Sequence, residues 1–207
     1  MKKLTILSTG GTIACTKTGD GLVPTLSADD ILSFVPGAKR RWRILTKTIF
    51  NLDSSNIEPE DWRTIAQAVF EELPHCDGMV ILHGTDTMAY TASMLSFMLP
   101  NIDKPVVITG SQFPVGYPET DARKNLKHAL ITAVGATGGV FVAFDKKIIL
   151  GCRAAKVRTT SRNAFESINR PLAGRIRAGR ACGGSRRWSA GRASLDDAIE
   201  PNVFCSN

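Results

Sequence analysis

Leu4-Thr5-Ile6-Leu7-Ser8-Thr9, running straight into Gly10-Gly11-Thr12, is a short β-rich run that stops at two glycines and a hydroxyl. The same succession recurs twice. Gly78 to His83 leads into Gly84-Thr85-Asp86, and Pro105 to Thr109 leads into Gly110-Ser111-Gln112. Between these runs lie segments with helical spacing, of which the clearest has Pro59 near its start and Trp62, Ile65, Ala66, Val69 and Phe70 on one face. That spacing predicts a helix over about residues 58–73, and further helices are expected over 87–98 and 120–134. Strands alternating with helices are the pattern of βαβ units, so the expected fold class is α/β, an open and mostly parallel sheet. Val140 to Phe144 and Lys147 to Leu150, separated by Asp145-Lys146, read as a hairpin or as consecutive strands beyond the parallel core.

The 207 residues are enough for one sizeable core, and 43% hydrophobic with 22% charged residues is ordinary globular composition. No uninterrupted apolar stretch of about 18 residues offers a membrane span. Lys2-Lys3 precede an apolar segment, Leu4 to Leu7, shorter than the core of a signal peptide, so a cytoplasmic location is expected. Cys15, Cys76, Cys152, Cys182 and Cys205 are odd in number and widely scattered, which predicts reduced thiols. His75, His83 and His128 have no metal-ligand spacing with each other or with the cysteines, and no metal is expected.

The net charge of +7 is unevenly distributed. Residues 150–192 carry eleven basic side chains against one acidic one, Glu166, so the remainder of the chain is mildly acidic. From about Arg170 the composition shifts to Gly, Arg, Ala and Ser, with Leu172, Ile176 and Trp188 as the large apolar residues as far as Arg192. Such a stretch buries little core, and residues 177–207 are expected to be a disordered or improperly folded tail.

In an open parallel sheet, ligands bind outside the carboxyl ends of the strands, where the three Gly-Thr/Ser turns converge. Glycine lets the backbone approach a ligand closely, and a neighbouring hydroxyl can attack, carry a proton or hydrogen-bond. Each turn also has a purely structural reading. Gly10-Gly11-Thr12 can be a simple turn, and Thr85 or Asp86 can cap the following helix. A phosphate loop is a further reading of the first turn, but neither Gly-x-Gly-x-x-Gly nor Gly-Lys-Ser/Thr is present.

Two long motifs, Ser8-Thr9-Gly10-Gly11-Thr12-Ile13-Ala14 and Val80-Ile81-Leu82-His83-Gly84-Thr85-Asp86-Thr87-Met88, resemble the bacterial-type L-asparaginase family. The likeness continues through Asp53-Ser54-Ser55-Asn56-Ile57, Thr109-Gly110-Ser111-Gln112 and Gly151-Cys152-Arg153-Ala154-Ala155-Lys156, and covers about residues 1–176. It implies a sheet with helices on both faces and a threonyl acyl-enzyme mechanism for converting L-asparagine to L-aspartate and ammonia without a cofactor. Thr12 resembles the nucleophile, and Thr85, Asp86 and Lys156 resemble the set that handles its proton. Backbone N–H groups near Gly11 and Thr85 are expected to stabilise the tetrahedral oxyanion. Asp86 is expected to pair with the α-ammonium group, Ser54 with Ser55 beside it to hold the α-carboxylate, and Ser111 to complete the pocket. L-Glutamine is the alternative substrate. The family's assembly into dimers and tetramers implies a homo-oligomer.

Two departures stand out. Leu22 falls in the expected lid loop where the family carries a tyrosine, leaving Thr16, Lys17 or Thr18 to close over Thr12. The family's second, smaller domain has no recognisable counterpart after Ile176, and the Gly/Arg-rich stretch reads as out-of-frame sequence in its place. An inactive truncated domain, or one whose basic tail binds nucleic acid, is therefore weighed beside the enzyme; Trp188 alone is too little aromatic interleaving to favour the nucleic-acid reading.

Overall fold

The computed structural model describes residues 1–182 except Asp20. Strand β1 (Lys3–Gly10) leads through a short turn into a hairpin of β2 (Cys15–Thr18) and β3 (Gly21–Pro24). Helices α1 (Ala28–Ser33) and α2 (Ala38–Arg41) precede the long strand β4 (Arg43–Leu52), which is followed by α3 (Pro59–Glu72) and β5 (Gly78–Leu82). The chain continues through α4 (Met88–Met98), β6 (Pro105–Thr109), α5 (Ala122–Gly135), β7 (Gly139–Phe144) and β8 (Lys147–Leu150). A small antiparallel pair follows, β9 (Ala154–Lys156) with β10 (Phe165–Ser167), and then β11 (Gly174–Arg177) and β12 (Arg180–Cys182).

The main sheet has eight strands in the order β12-β11-β8-β7-β6-β5-β1-β4. Contacts from β7 through to β4 are parallel, whereas β8, β11 and β12 are added antiparallel. Helices α1, α2 and α5 pack on one face through Ile31, Leu32, Ala38, Leu126, Ala129 and Leu130, while α3 and α4 pack on the other through Ile65, Val69, Met88, Ala92 and Leu95. Strands β5 and β6 are buried at every position, which is why they read as unbroken apolar runs.

The three expected helices and three expected strands form within two residues of their predicted bounds. Val140–Phe144 and Lys147–Leu150 are a hairpin, turned by Asp145 and Lys146 with φ of 45° and 64°. One correction concerns their place: β7 runs parallel to β6 and belongs to the parallel core rather than lying beyond it. A second concerns the expected tail, because Arg177 ends β11 and Arg180–Cys182 form an edge strand on it. Ile176, 6% exposed, joins the main core, and the backbone partners supplied by β8 order a stretch with few apolar side chains. The remainder of that tail, with Cys205 and Trp188, lies outside the described residues.

Candidate active site

The sheet order creates the site. After β1 the chain moves to β4 on one side, and after β5 it moves to β6 on the other, so the loops leaving β1 and β5 diverge at a topological switch point. Thr12 and Thr85 stand on those two loops.

Gly11 brings the turns together. Its φ is +74°, and a Cβ placed on it would lie 2.2 Å from Gly84 Cα, so the two backbones touch where side chains are absent. Its N–H donates to Leu52 O at 2.8 Å. Of the N–H groups near Gly11 expected to face an oxyanion, that of Gly11 itself is already used, and its contribution is close approach. The N–H groups of Thr12 and Thr85 have no intrachain acceptor among the described residues. Thr12, half-buried at the start of a single 3₁₀ turn, also has no partner for its hydroxyl among them.

Thr85 is 5% exposed and doubly held. Lys156 Nζ, reaching in from β9, donates to Thr85 Oγ1 at 2.9 Å and to Asp86 Oδ1 at 2.6 Å. The lysine side chain is 12% exposed and the Asp86 side chain 60%, which leaves the carboxylate open to a ligand. Thr85 Oγ1 in turn donates to Gln112 Oε1 at 3.3 Å. Buried Ser54 accepts from Asp86 N at 3.2 Å through Oγ, and its carbonyl accepts from Thr87 Oγ1 at 2.7 Å. Thus Thr85, Asp86, Lys156 and Ser54 form one cluster, with Thr12 on the abutting turn.

Ser55 and Ser111 are placed differently. The Ser55 hydroxyl donates to Asp53 Oδ1 at 2.7 Å on an exposed turn, and the Ser111 hydroxyl, fully buried, donates to Phe113 O at 2.6 Å. Both hydroxyls donate within their own turns, so the protons of Ser55 and Ser111 are engaged there. The lid hydroxyls are likewise engaged within the hairpin, Thr16 Oγ1 with Thr25 Oγ1 at 2.8 Å and Thr18 Oγ1 with Gly21 O at 3.1 Å, while Leu22 is 47% exposed.

Several supporting residues escaped the sequence reading. Asp121 accepts from the N–H groups of both Gln112 and Phe113 at 3.1 Å, and Asn125 Nδ2 donates to Gly110 O at 3.0 Å, so the start of α5 pins the third turn. Their signal was two polar residues four apart on the buried side of a helix, easily read as a cap. Behind the second turn, His83 is completely buried. Its Nδ1 lies 2.7 Å from Gly84 O, an acceptor, so Nδ1 carries the proton and Nε2 accepts from Thr91 Oγ1 at 2.9 Å. Thr91 accepts in turn from Trp62 Nε1 at 2.9 Å. Fixing Gly84 O fixes the plane of the Gly84–Thr85 peptide, and with it the direction of the Thr85 N–H.

Burial holds the His83 imidazole neutral, lowering its pKa from the usual value to about 4. The unfolded chain therefore binds the proton first, and the stability due to this group is present above about pH 6.5 and lost as pH falls toward about pH 4. The loss due to His83 is expected to be about 3 kcal/mol over that window. His128, lowered by burial and by nearby lysines, acts in the same sense. Urea denaturation at about pH 7 and about pH 4 checks this: His83→Asn should lose markedly less stability on acidification than the unsubstituted chain, and equal acid losses would remove His83 as the cause.

Among the described residues no group of three or more His, Cys, Asp or Glu side chains is arranged to hold a metal, and no helix is long and apolar enough to cross a membrane. A doubly wound sheet with hydroxyl-bearing turns at its switch point, and an ammonium on one of those hydroxyls, defines a class of site suited to acyl transfer. The family model described as "Asparaginase, N-terminal" matches residues 3–185, and the chain belongs to that family. It is 47% identical over 204 residues to the L-asparaginase of Thermococcus kodakarensis, an alignment covering 97% of this chain and 62% of the relative. It is 39% identical over 176 residues to L-asparaginase 1 of Escherichia coli, covering 82% of this chain and 52% of that protein. The solved thermostable L-asparaginase from Thermococcus kodakarensis superposes with a TM-score of 0.88 at 46% identity, over 94% of this chain and 60% of that one. The chain thus spans roughly half to three fifths of the length of these relatives.

Proposed function

We propose that this chain hydrolyses the side-chain amide of L-asparagine, with L-glutamine as the alternative substrate, through an acyl-enzyme on Thr12. The observation that carries the reading is the Lys156 ammonium, bonded at once to Thr85 Oγ1 and Asp86 Oδ1 on a turn whose Gly84 abuts Gly11. A buried hydroxyl beside an ammonium is electrostatically disposed to take up negative charge, as proton transfer from a neighbouring nucleophile requires.

In this reading the Thr12 oxygen bonds to the amide carbon and the hydroxyl proton passes by way of Thr85 to the departing nitrogen. The carbon–nitrogen bond breaks and ammonia leaves. Water then adds to the ester, the bond to Thr12 breaks, and the threonine regains its proton as the acid is released. The N–H groups of Thr12 and Thr85 stabilise the oxyanion. Asp86, open to solvent, receives the α-ammonium group, and Ser54, whose own proton is not committed to an acceptor among the described residues, holds the α-carboxylate. The catalytic domain comprises the sheet and its helices, the location is the cytoplasm, and copies of the chain associate. The family membership and the relatives named L-asparaginase support this reading.

Ammonia release from L-asparagine and from L-glutamine, by the purified chain without added metal or nucleotide, tests it. Release from neither amide by folded protein overturns it. One methylene distinguishes the two substrates, worth about 1–3 kcal/mol in a pocket, so the ratio of their kcat/KM values measures how closely the site fits.

A further inference from the structure

We infer that Gln112 is a positioning residue that sets the direction of the Thr85 hydroxyl proton; this deepens the amide-hydrolysis reading and rests on it. Gln112 Nε2 lies 2.9 Å from Thr159 O and 2.9 Å from Ser161 O. Carbonyl oxygens only accept, so both protons of the amide are consumed there. The flipped orientation, which would set the amide oxygen against two carbonyl oxygens, is excluded. Oε1 must therefore be the atom facing Thr85 Oγ1.

On its other side Thr85 Oγ1 meets Lys156 Nζ, which carries protons and no lone pair as an ammonium. The threonine must accept there, so its single proton points at Gln112. The sheet order gives this direction its meaning: Gln112 follows β6 on one side of β5, and Thr12 follows β1 on the other. A proton drawn toward β6 leaves the lone pair of Thr85, rather than its hydrogen, on the side of the nucleophile. The separation of 3.3 Å makes this a weak bond, so as Thr85 takes the Thr12 proton its own proton leaves Gln112 for the departing nitrogen, and the threonine ends neutral. The backbone of Gln112 is itself fixed by the Asp121 carboxylate, so the orienting oxygen is anchored at both ends of its residue.

Two substitutions separate this role from a simple tether of residues 159–161. Gln112→Met removes both the acceptor and the donors, and Gln112→Glu keeps an acceptor oxygen but loses the donors. The Met variant should lower kcat about tenfold or more with KM little changed, a general acid–base effect. The Glu variant should recover part of that kcat and shift the pH–rate profile, although hydrogen exchange in 159–161 rises in both. Wild-type kcat in Gln112→Met, or equal loss in both variants in step with exchange, overturns the proposal. Wild-type turnover in Thr85→Val instead sinks the underlying role of Thr85. Neutron diffraction gives a readout without turnover: deuterium on Thr85 Oγ1 directed at Gln112 supports the inference even in a chain that releases no ammonia, and any other direction overturns it.

Discussion

Thr12→Ala is expected to abolish ammonia release from L-asparagine while leaving the fold intact. The Thr12 hydroxyl has no hydrogen-bond partner among the described residues, and the side chain is only half-buried, so its removal orphans nothing and opens no core cavity. Such changes normally shift stability by no more than about 0.5 kcal/mol. Removing the nucleophile of an acyl-transfer enzyme costs on the order of a millionfold in kcat, leaving what binding and oxyanion stabilisation achieve alone. Thr85→Val should cost less, about a hundredfold to ten-thousandfold, because in the proposed mechanism it removes a proton carrier rather than the attacking atom. Initial rates on both variants, with denaturation midpoints on the same samples, check the order of the two effects. Appreciable turnover in Thr12→Ala would place the nucleophile elsewhere.

Gly11→Ala is expected to remove activity by a different route. With φ +74° and ψ −179° the backbone sits in a region open essentially to glycine alone, which costs a side-chain-bearing residue about 1–3 kcal/mol. The larger obstacle is that its Cβ would sit 2.2 Å from Gly84 Cα and 2.3 Å from Gly84 N, backbone atoms that cannot rotate away as a side chain can. The turns must part, and a displacement of about 1 Å in a catalytic group can cost about a hundredfold in rate. Gly37→Ala is the control for a positive φ without the clash: Gly37, left-handed at φ +85° and ψ −7°, faces only the far end of the Arg40 side chain, 3.6 Å away. The expected result is a modest fall in Tm for both variants and a fall in kcat of about a hundredfold or more for Gly11→Ala alone. Full kcat in Gly11→Ala would mean that the contact between the turns does not set the distance between the two threonines.

The elements that were legible in the sequence are those with a strong local signal. Residues 78–82 and 105–109 read as strands because both faces are covered, and α3 read as a helix because its buried Ile65, Ala66 and Val69 recur at helical spacing behind Pro59. Strand β4 was not foreseen: it lies at the sheet edge, alternates between exposed and half-buried residues, and includes Arg43 and Lys47. The pair β11 and β12 was obscured by arginines, since edge strands on β8 are ordered by backbone hydrogen bonds that composition does not report. Likewise Ser55 stands beside Ser54 and Ser111 beside Gly110, yet the direction of each hydroxyl was decided by an acceptor nearby, Asp53 and Phe113 O.

The sequence by itself determined that Thr12 and Thr85 end strands of a parallel sheet, because a β-rich run closed by glycine and threonine reports local geometry. It also supplied Asp86 and Lys156 through their motifs. Only the tertiary structure decided which oxygen each group meets. Lys156 lies 71 residues from Thr85 and is brought to it by the β9 turn, Gln112 arrives from the next strand, and Gly11 reaches Gly84 because β1 and β5 are neighbours. These meetings depend on strand order, a consequence of how all the helices cover the sheet, and no local stretch of residues encodes it.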